Sequence, residues 1–156
     1  TDVEPERILQ DKTVLIVGAG GAARAIALSL AEQPVARIDV TNRTHRRAEE
    51  AVHLVQNISS GADVFAIQAA DIDFQDYDVV INATPLGLLE TDEMPLDTDL
   101  LRADCLVCDI IMIPERTRLI SAAQRTGRPV HIGRYMLDYQ VHLIGEFIGA
   151  YEKNAD

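Results

Sequence analysis

The stretch that decides the fold reads Val14-Leu15-Ile16-Val17-Gly18-Ala19-Gly20-Gly21-Ala22-Ala23. A short apolar run, typical of a buried strand, leads into a glycine-rich turn that opens a helix. This arrangement cradles the pyrophosphate of a dinucleotide. Gly18 lets the chain turn off the strand, Gly20 leaves room for phosphates beside the backbone, and Ala23 packs the helix. The free N–H groups and positive dipole end of that helix are predicted to face the phosphates.

A basic segment follows the second predicted strand. Residues Ala36–Thr41 read as that strand and place Asn42 at its tip, where an NAD-selective site carries Asp or Glu for the ribose 2′-hydroxyl. Asp39 faces the opposite side of the strand and is a poor substitute. In place of the acid the chain has Asn42-Arg43-Thr44-His45-Arg46-Arg47. Because guanidinium groups form bidentate, charge-assisted bonds to phosphate, the segment predicts selectivity for the 2′-phosphate of NADP.

Both segments have a simpler explanation. Many tight strand-to-helix turns resemble the glycine pattern, so that pattern alone is weak evidence for a dinucleotide. The basic segment could be the solvated first turn of a helix with Thr44 as its N-cap. That explanation accounts for Thr44, but not for a basic cluster at the tip of the second strand.

Composition limits the class of protein. The chain has 156 residues, 47% of them hydrophobic and 4% aromatic, with a formal net charge of −11. Its length predicts one domain, and its acidity argues against nucleic acid or an anionic membrane as partner. No apolar stretch is long enough to span a membrane and no signal peptide opens the chain, which indicates a cytoplasmic protein. Cys105 and Cys108 lie three apart on a predicted strand, hence on opposite faces, so we expect two core thiols and no metal site.

The chain alternates strands and helices from end to end. The strands are predicted at Thr13–Val17, Ala36–Thr41, Asp63–Ile67, Tyr77–Asn82, Asp104–Ile111 and Pro129–Ile132. Helices are predicted at Gly20–Gln33, Thr44–Ile58 and Gly133–Lys153, and a further helix is predicted within Pro114–Thr126. Right-handed crossovers then give an α/β, doubly wound parallel sheet, the Rossmann fold, with six strands in the order 3-2-1-4-5-6. Ligand should lie at the carboxyl ends of strands one and four, where the order reverses. The long loop Thr84–Asp99 leaves the sheet at that edge.

Five motifs in this order resemble one family. They are Gly18-Ala-Gly-Gly-Ala-Ala-Arg, Asn42-Arg43-Thr44-x-x-Arg47-Ala48, Asp78-Val-Val-Ile-Asn82-Ala83-Thr84-Pro85-Leu-Gly87, Asp109 through Pro114 with Thr117, and Gly133-x-x-Met136-Leu137-x-x-Gln140. Together they resemble the C-terminal, NADP-binding domain of shikimate dehydrogenase. The resemblance implies reversible, NADP-dependent interconversion of shikimate and 3-dehydroshikimate.

The resemblance also implies roles for residues of this chain. The pyrophosphate would be held by Gly18, Ala19, Gly20, Gly21 and Ala22, and the adenosine 2′-phosphate by Asn42, Arg43, Thr44 and Arg47. Asn82, Ala83 and Thr84 would run beside the cofactor, and Ile110 and Gly133 would give backbone contacts near the nicotinamide. Gln140 would reach a substrate hydroxyl, or alternatively a domain interface, whereas Met136 and Leu137 are expected to pack in the core.

The chain departs from the family pattern in two ways. The family's N-terminal substrate domain, with its catalytic Lys and Asp, is absent from residues 1–156. The only lysines here are Lys12 and Lys153. We therefore expect no catalytic residue in this chain, and cofactor binding without turnover. Met112 stands where the family has a substrate-facing Tyr. Because Met cannot donate a hydrogen bond, the substrate is left open between shikimate, quinate and another polyhydroxy ring acid.

Two other functions stay open at this point. One is a non-catalytic NADP-binding sensor or regulatory module, which the missing substrate domain would allow. The other is a stand-alone domain for a different dinucleotide, which the arginines at positions 43 and 47 count against. The residues encoded upstream of Thr1 would separate a sensor from one half of a two-domain enzyme.

Overall fold

A six-stranded parallel sheet organises the chain. The computed structural model describes residues 9–59 and 61–134, so the predicted terminal helix and Gln140 lie outside the described residues. The strands stand in the order β3-β2-β1-β4-β5-β6, which confirms the predicted topology. Their bounds are β1 Thr13–Val17, β2 Arg37–Thr41, β3 Asp63–Ala66, β4 Val79–Asn82, β5 Leu106–Asp109 and β6 Val130–His131.

Among the described residues, three α-helices lie on the two faces of this sheet. They are α1 Gly21–Ala31, α2 His45–Ile58 and α3 Arg118–Arg125. Helix α1 buries Ala23, Ala27 and Ala31, at a spacing of four that places them on one side. Because these side chains are small, the helix packs close above the sheet, as the alanine-rich sequence predicts.

The two faces have separate cores. Val14 and Ile16 of β1 pack on the side of α1 and α2, whereas Leu15 packs on the side of α3, as expected from strand alternation. The cysteines follow the same rule. Cys105 belongs to the α3 core and Cys108 packs against the other. Their places in different cores confirm that they lie on opposite faces, and both thiols are free.

Two connections contain only short 3₁₀ turns. The chain from β3 to β4 has turns at Ala69–Asp71 and Phe74–Asp76, and the chain from β4 to β5 has one at Thr98–Leu100. No helix in the described residues is long and apolar enough to cross a bilayer.

Several predicted elements were too long, because polar side chains end them. β4 begins at Val79 rather than Tyr77, since the Asp78 carboxylate accepts the Thr13 N–H at 2.9 Å. β5 ends at Asp109, whose own carboxylate accepts the Ile111 N–H at 3.1 Å. Helix α3 lies within Pro114–Thr126, where a helix is predicted; it begins at Arg118 because Thr117 is its N-cap and accepts the Ile120 N–H at 3.3 Å.

The strand order changes direction between β1 and β4. This change determines where the predicted cofactor site lies. Val17 is paired with Thr41 of β2 on one side and with Asn82 of β4 on the other. Past the strand ends, the Gly18 N–H donates to the Thr41 carbonyl at 2.7 Å, and the Ala83 N–H donates to the Val17 carbonyl at 2.8 Å. The three predicted loops therefore leave the sheet side by side.

Candidate cofactor site

Gly18 joins the glycine turn to the loop after β4. Its φ of +117° is one that residues with a side chain rarely adopt. A Cβ at this position would stand 2.9 Å from the Ala83 carbonyl oxygen and 3.0 Å from Cγ2 of Thr84. Gly18 is therefore required both by the turn and by the close approach of a second backbone.

Gly20 and Gly21 face open space. A Cβ at either position would meet no protein atom within 4 Å, and both residues are exposed. Gly20 is the N-cap of α1; it has no side chain to cap the helix, and the first turn contains no acidic residue. The first N–H groups of a helix have no intrahelical partners, and an anion can satisfy them. The turn thus has the space and the donors that a pyrophosphate needs.

The basic segment follows β2. Among the described residues, one of its arginines is in an ion pair with a glutamate and the other two have no such partner. Arg46 pairs with Glu50 across one helical turn at 3.2 Å. The guanidinium groups of Arg43 and Arg47 are exposed and have no hydrogen bond or ion pair to any of the residues 9–59 and 61–134. The two arginines predicted to clamp the 2′-phosphate are therefore the ones left available.

Asn42 and Thr44 shape the turn between β2 and α2. The Asn42 amide donates to the Thr44 carbonyl at 3.0 Å. Thr44 does occupy the N-cap position of α2, but its hydroxyl makes no capping hydrogen bond. Helix capping therefore accounts for the place of Thr44 and leaves both its hydroxyl and the basic cluster unexplained.

Asp39 is removed from the site, as the strand parity predicts. It is 2% exposed, and its two carboxylate oxygens accept from Arg37 Nε at 2.8 Å and from the Tyr77 hydroxyl at 2.7 Å. Burial and the hydrogen bond to Asp39 raise the pKa of Tyr77. Asp39 therefore holds β2 against the connection to β4 and is not an acceptor for a ribose hydroxyl.

Asn82 organises the loop after β4 from inside. Its side chain is fully buried; Oδ1 accepts from the Thr84 N–H at 3.1 Å and from its hydroxyl at 2.7 Å, and Nδ2 donates to the Leu86 carbonyl at 3.1 Å. Ala83 and Thr84 are consequently held in a fixed turn beside Gly18.

Asp109 extends this hydrogen-bonded group to β5. Its Oδ1 accepts from Asn82 Nδ2 at 3.2 Å, and its Oδ2 accepts from the Thr117 hydroxyl at 2.7 Å. Burial raises the pKa of Asp109. The sequence pattern included Asp109 and Thr117 without giving them a role. The available signal was an acidic residue at the end of a buried strand, just before a helix cap.

Ile110 and Gly133 come together as expected. A Cβ on Gly133 would stand 2.6 Å from each of the carbonyl oxygens of Ile110 and Ile111, so the chain after β6 packs on the chain after β5. Met112 follows at the same edge and is 41% exposed. A contact of any of these residues with cofactor or substrate stays a prediction.

The residues predicted to bind the cofactor line neither of two pockets in the described part of the chain. A cavity of ≈ 770 Å³ lies elsewhere, between α3 and the loop before β5; it is lined by Met94, Arg116, Arg118, Ser121, Ala122, Gln124 and Arg125. It shares no residue with the predicted site. The Arg118 guanidinium donates hydrogen bonds there to the carbonyls of Glu90 and Asp92, at 3.1 and 2.6 Å. These bonds anchor the loop before β5 to α3.

Known proteins resemble this chain over nearly its whole length. Shikimate dehydrogenase (NADP(+)) of Bacillus licheniformis is 36% identical over 152 residues, 97% of this chain and 54% of that protein. The crystal structure of a shikimate dehydrogenase in complex with NADP+ superposes with a TM-score of 0.78 at 30% identity, covering 93% of this chain and 51% of the other. Quinate dehydrogenase from Corynebacterium glutamicum in complex with NAD gives 0.74 at 26% identity, covering 85% and 50%.

The chain thus spans about half the length of these relatives. The family model described as shikimate / quinate 5-dehydrogenase matches residues 4–95, which is more than half of the 156 residues. The matched part includes the glycine turn, the basic segment and the first part of the loop after β4. The chain belongs to the shikimate / quinate 5-dehydrogenase family.

Proposed function

We propose that this chain is the NADP-binding domain of a shikimate dehydrogenase-like oxidoreductase. The observation that carries the proposal is the pair of unpaired guanidinium groups, Arg43 and Arg47, beside the open glycine turn at Gly20. Family membership alone does not choose the cofactor, because one structural relative is in complex with NADP+ and another with NAD. The arginines favour the cofactor that carries the extra phosphate.

The residues present fit NADP in three groups. The backbone from Gly18 to Ala22 would hold the pyrophosphate in the open turn, and Asn42, Arg43, Thr44 and Arg47 would hold the 2′-phosphate. Ala83 and Thr84, fixed by Asn82, would flank the cofactor, with Ile110 and Gly133 near the nicotinamide. When bound, NADP supplies the nicotinamide ring that accepts or donates hydride.

In this proposal the described residues bind and orient the cofactor. None of them is assigned to proton transfer at the carboxyl ends of the strands. Lys12, the only lysine among them, precedes β1 at the opposite edge of the sheet and lies 4.0 Å from Asp78. Proton transfer to the substrate carbonyl would therefore require the other half of a family member. A shikimate- or quinate-type ring acid would be contacted by Gln140 and by the residue at position 112, in a cleft shared with the substrate domain.

Binding of NADP and NAD to the 156-residue chain, measured by calorimetry, tests the proposal. Each charge-assisted contact to phosphate contributes about 1.5–3 kcal/mol, so NADP should bind at least about tenfold more tightly than NAD. Arg43→Ala should remove most of that preference, and Arg47→Ala a similar part. Equal affinities for the two cofactors, or tighter binding of NAD, would contradict it.

Arg46→Ala is the matched control. Arg46 lies next to Arg47 in the first turn of α2, but its guanidinium is paired with Glu50. Its removal takes away one positive charge of the same segment without taking away an available clamp. We expect the preference for NADP to stay within about twofold of the unsubstituted chain, since a screened surface charge contributes little.

A further inference from the structure

A buried chain of hydrogen bonds links the carboxyl ends of β4 and β5 to α3. The Thr117 hydroxyl donates to Asp109, Asp109 accepts from Asn82, and Asn82 accepts from the hydroxyl and N–H of Thr84. Asp109, Asn82 and Thr117 are each at most 2% exposed. The loops after β4 and β5, which carry predicted cofactor contacts, and the N-terminus of α3 are thus joined through buried side chains.

The centre of this hydrogen-bonded group is the carboxylate of Asp109, which has no basic partner among residues 9–59 and 61–134. Asp109 has three neutral donors, namely the Asn82 amide, the Ile111 N–H and the Thr117 hydroxyl. Burying a carboxylate costs free energy unless hydrogen bonds compensate for the lost water. Burial accordingly raises the pKa of Asp109, and these hydrogen bonds oppose the rise. A well-packed apolar residue at this position would cost less desolvation free energy than a buried carboxylate. The reason for the carboxylate is therefore expected in the residues that it holds in place.

What Asp109 holds is the nicotinamide half of the proposed site. Its bond to the Ile111 N–H sets the turn that presents the carbonyls of Ile110 and Ile111, and Gly133 packs directly on those two oxygens. Its bond to Asn82 fixes the turn at Thr84. One side chain therefore sets the relative position of Thr84, Ile110 and Gly133.

We propose that Asp109 is a positioning residue for the nicotinamide half of the cofactor, acting through Asn82 and the Ile110–Ile111 turn. The inference rests on the proposed function, because it assumes that NADP occupies this edge. Asp109 touches no part of the adenosine side: its hydrogen bonds go to β4, to its own loop and to the cap of α3, and none goes to the glycine turn or the basic segment.

The test separates the two halves of the cofactor. Binding of NADP and of adenosine 2′,5′-bisphosphate, which carries the 2′-phosphate but no nicotinamide, is measured by calorimetry on the 156-residue chain. In Asp109→Ala, NADP affinity should fall about tenfold or more, while affinity for the fragment should stay within about twofold. A merely structural role would weaken both ligands in parallel, and parallel losses or unchanged NADP binding would overturn the proposal.

Thr117 gives a second, milder pair of variants should Asp109→Ala fail to fold. Thr117→Val removes the hydroxyl that anchors Asp109, whereas Thr117→Ser keeps it. We expect Val to lower NADP affinity selectively and Ser to restore it. Equal NADP affinity in the two variants would reject the proposal.

Tyr77→Phe is the control for general destabilisation. It removes a buried hydrogen bond to a different carboxylate, Asp39 of β2, which shares no hydrogen bond with Asp109, Asn82 or Thr117, and should leave the ratio of the two affinities unchanged. A changed ratio in Tyr77→Phe would show that the ratio reports stability, which would overturn the inference. If the unsubstituted chain binds neither ligand, the proposed function fails and this inference falls with it. If it binds both and Asp109→Ala leaves their ratio unchanged, only the inference fails.

Discussion

A Cβ atom on Gly18 would stand 2.9 Å from the carbonyl oxygen of Ala83, so the glycine turn and the loop after β4 meet backbone to backbone. The obstructing atom belongs to the main chain and cannot rotate away. Gly18 also has a φ of +117°. Replacing it with any other residue would therefore push β1 and β4 apart at the strand ends where the cofactor is expected to lie.

Gly18→Ala should destabilise the chain by more than the roughly 1–3 kcal/mol that an unfavourable φ alone contributes. Gly127→Ala is the matched control: Gly127 has a φ of +76°, but a Cβ there meets nothing within 4 Å. Urea unfolding of both variants measures the difference. Equal losses of unfolding free energy would show that the contact with Ala83 relaxes without cost.

Gly20→Val should abolish dinucleotide binding and leave the fold intact. Gly20 has a φ of −79°, which valine adopts readily, and the space where its Cβ would lie is open. That space is where the pyrophosphate is expected. Calorimetry with NADP measures the loss, and circular dichroism checks the fold. Unchanged affinity would mean that the phosphates lie elsewhere and that Gly20 serves only the turn.

The Tyr77–Asp39 hydrogen bond predicts a pH dependence of stability. The pKa of Tyr77 is raised by its burial and by Asp39, so folding favours the neutral phenol. A raised folded pKa gives stability that is complete below the unfolded value of about 10 and is lost as pH rises above it. The free energy of unfolding should therefore fall above pH 10 more steeply in the unsubstituted chain than in Tyr77→Phe.

At neutral pH the same variant should lose about 1–3 kcal/mol, because it leaves one oxygen of buried Asp39 without its donor. Buried Cys105 and half-buried Cys108 have pKa values that desolvation raises to about 11 and about 12. They titrate in the alkaline range in both proteins and cancel from the comparison. Parallel curves above pH 10 would contradict a raised pKa for Tyr77.

Local sequence pattern was sufficient to predict the sheet and to place the glycine turn and the basic segment after neighbouring strands. The alternation of strands and helices predicts the doubly wound parallel sheet, and the parity of β2 correctly places the Asp39 side chain away from the carboxyl ends of the strands and Asn42 at the end of β2. These features depend on neighbours in sequence. The glycine and arginine roles follow from residue chemistry at a strand end, which also needs no long-range information.

Long-range side-chain bonds could not be predicted in the same way. The ends of β4 and β5 are set by Asp78 bonding to Thr13 and by Asp109 bonding to Ile111, and the role of Asp109 depends on a contact with Asn82, 27 residues earlier in the chain. A prediction from the sequence pattern alone extends a strand to the end of its apolar run. It therefore overestimates β5, and it includes Asp109 and Thr117 in a motif without revealing that they form one hydrogen-bonded group.

Two buried threonines should respond in opposite ways to replacement by valine. Thr41 is 6% exposed and its hydroxyl has no hydrogen-bond partner among the described residues. Thr41→Val should therefore raise the free energy of unfolding by about 1 kcal/mol, since it removes an uncompensated polar group at nearly constant shape. The Thr117 hydroxyl donates to Asp109 and caps α3. Thr117→Val should therefore lower the free energy of unfolding by about 1–3 kcal/mol. Thermal and urea unfolding measure both, and a loss of stability in Thr41→Val would show that its hydroxyl has a partner.

The 156-residue chain alone should bind NADP without oxidising shikimate or quinate. Its lysines are Lys12, at the opposite edge of the sheet, and Lys153, near the end of the chain. Absorbance of NADPH at high chain concentration provides the assay. Measurable turnover would contradict the division of labour between binding here and proton transfer elsewhere. If the chain remains inactive after a family substrate domain is supplied, a sensor of NADP becomes the better description.

Met112 should set which ring acid is used once such a domain is present. It lies past β5 at the site edge, is 41% exposed, and its thioether cannot donate a hydrogen bond. Met112→Tyr supplies a phenol donor at the position where the family carries one. One added hydrogen bond contributes about 0.5–1.5 kcal/mol, so the ratio of kcat/KM for shikimate over quinate should rise by up to about tenfold. Ile113→Tyr is the control, because Ile113 is 83% exposed and adjacent, and a phenol there should not change the ratio. An equal shift in both variants, or none in Met112→Tyr, would remove position 112 from the substrate site.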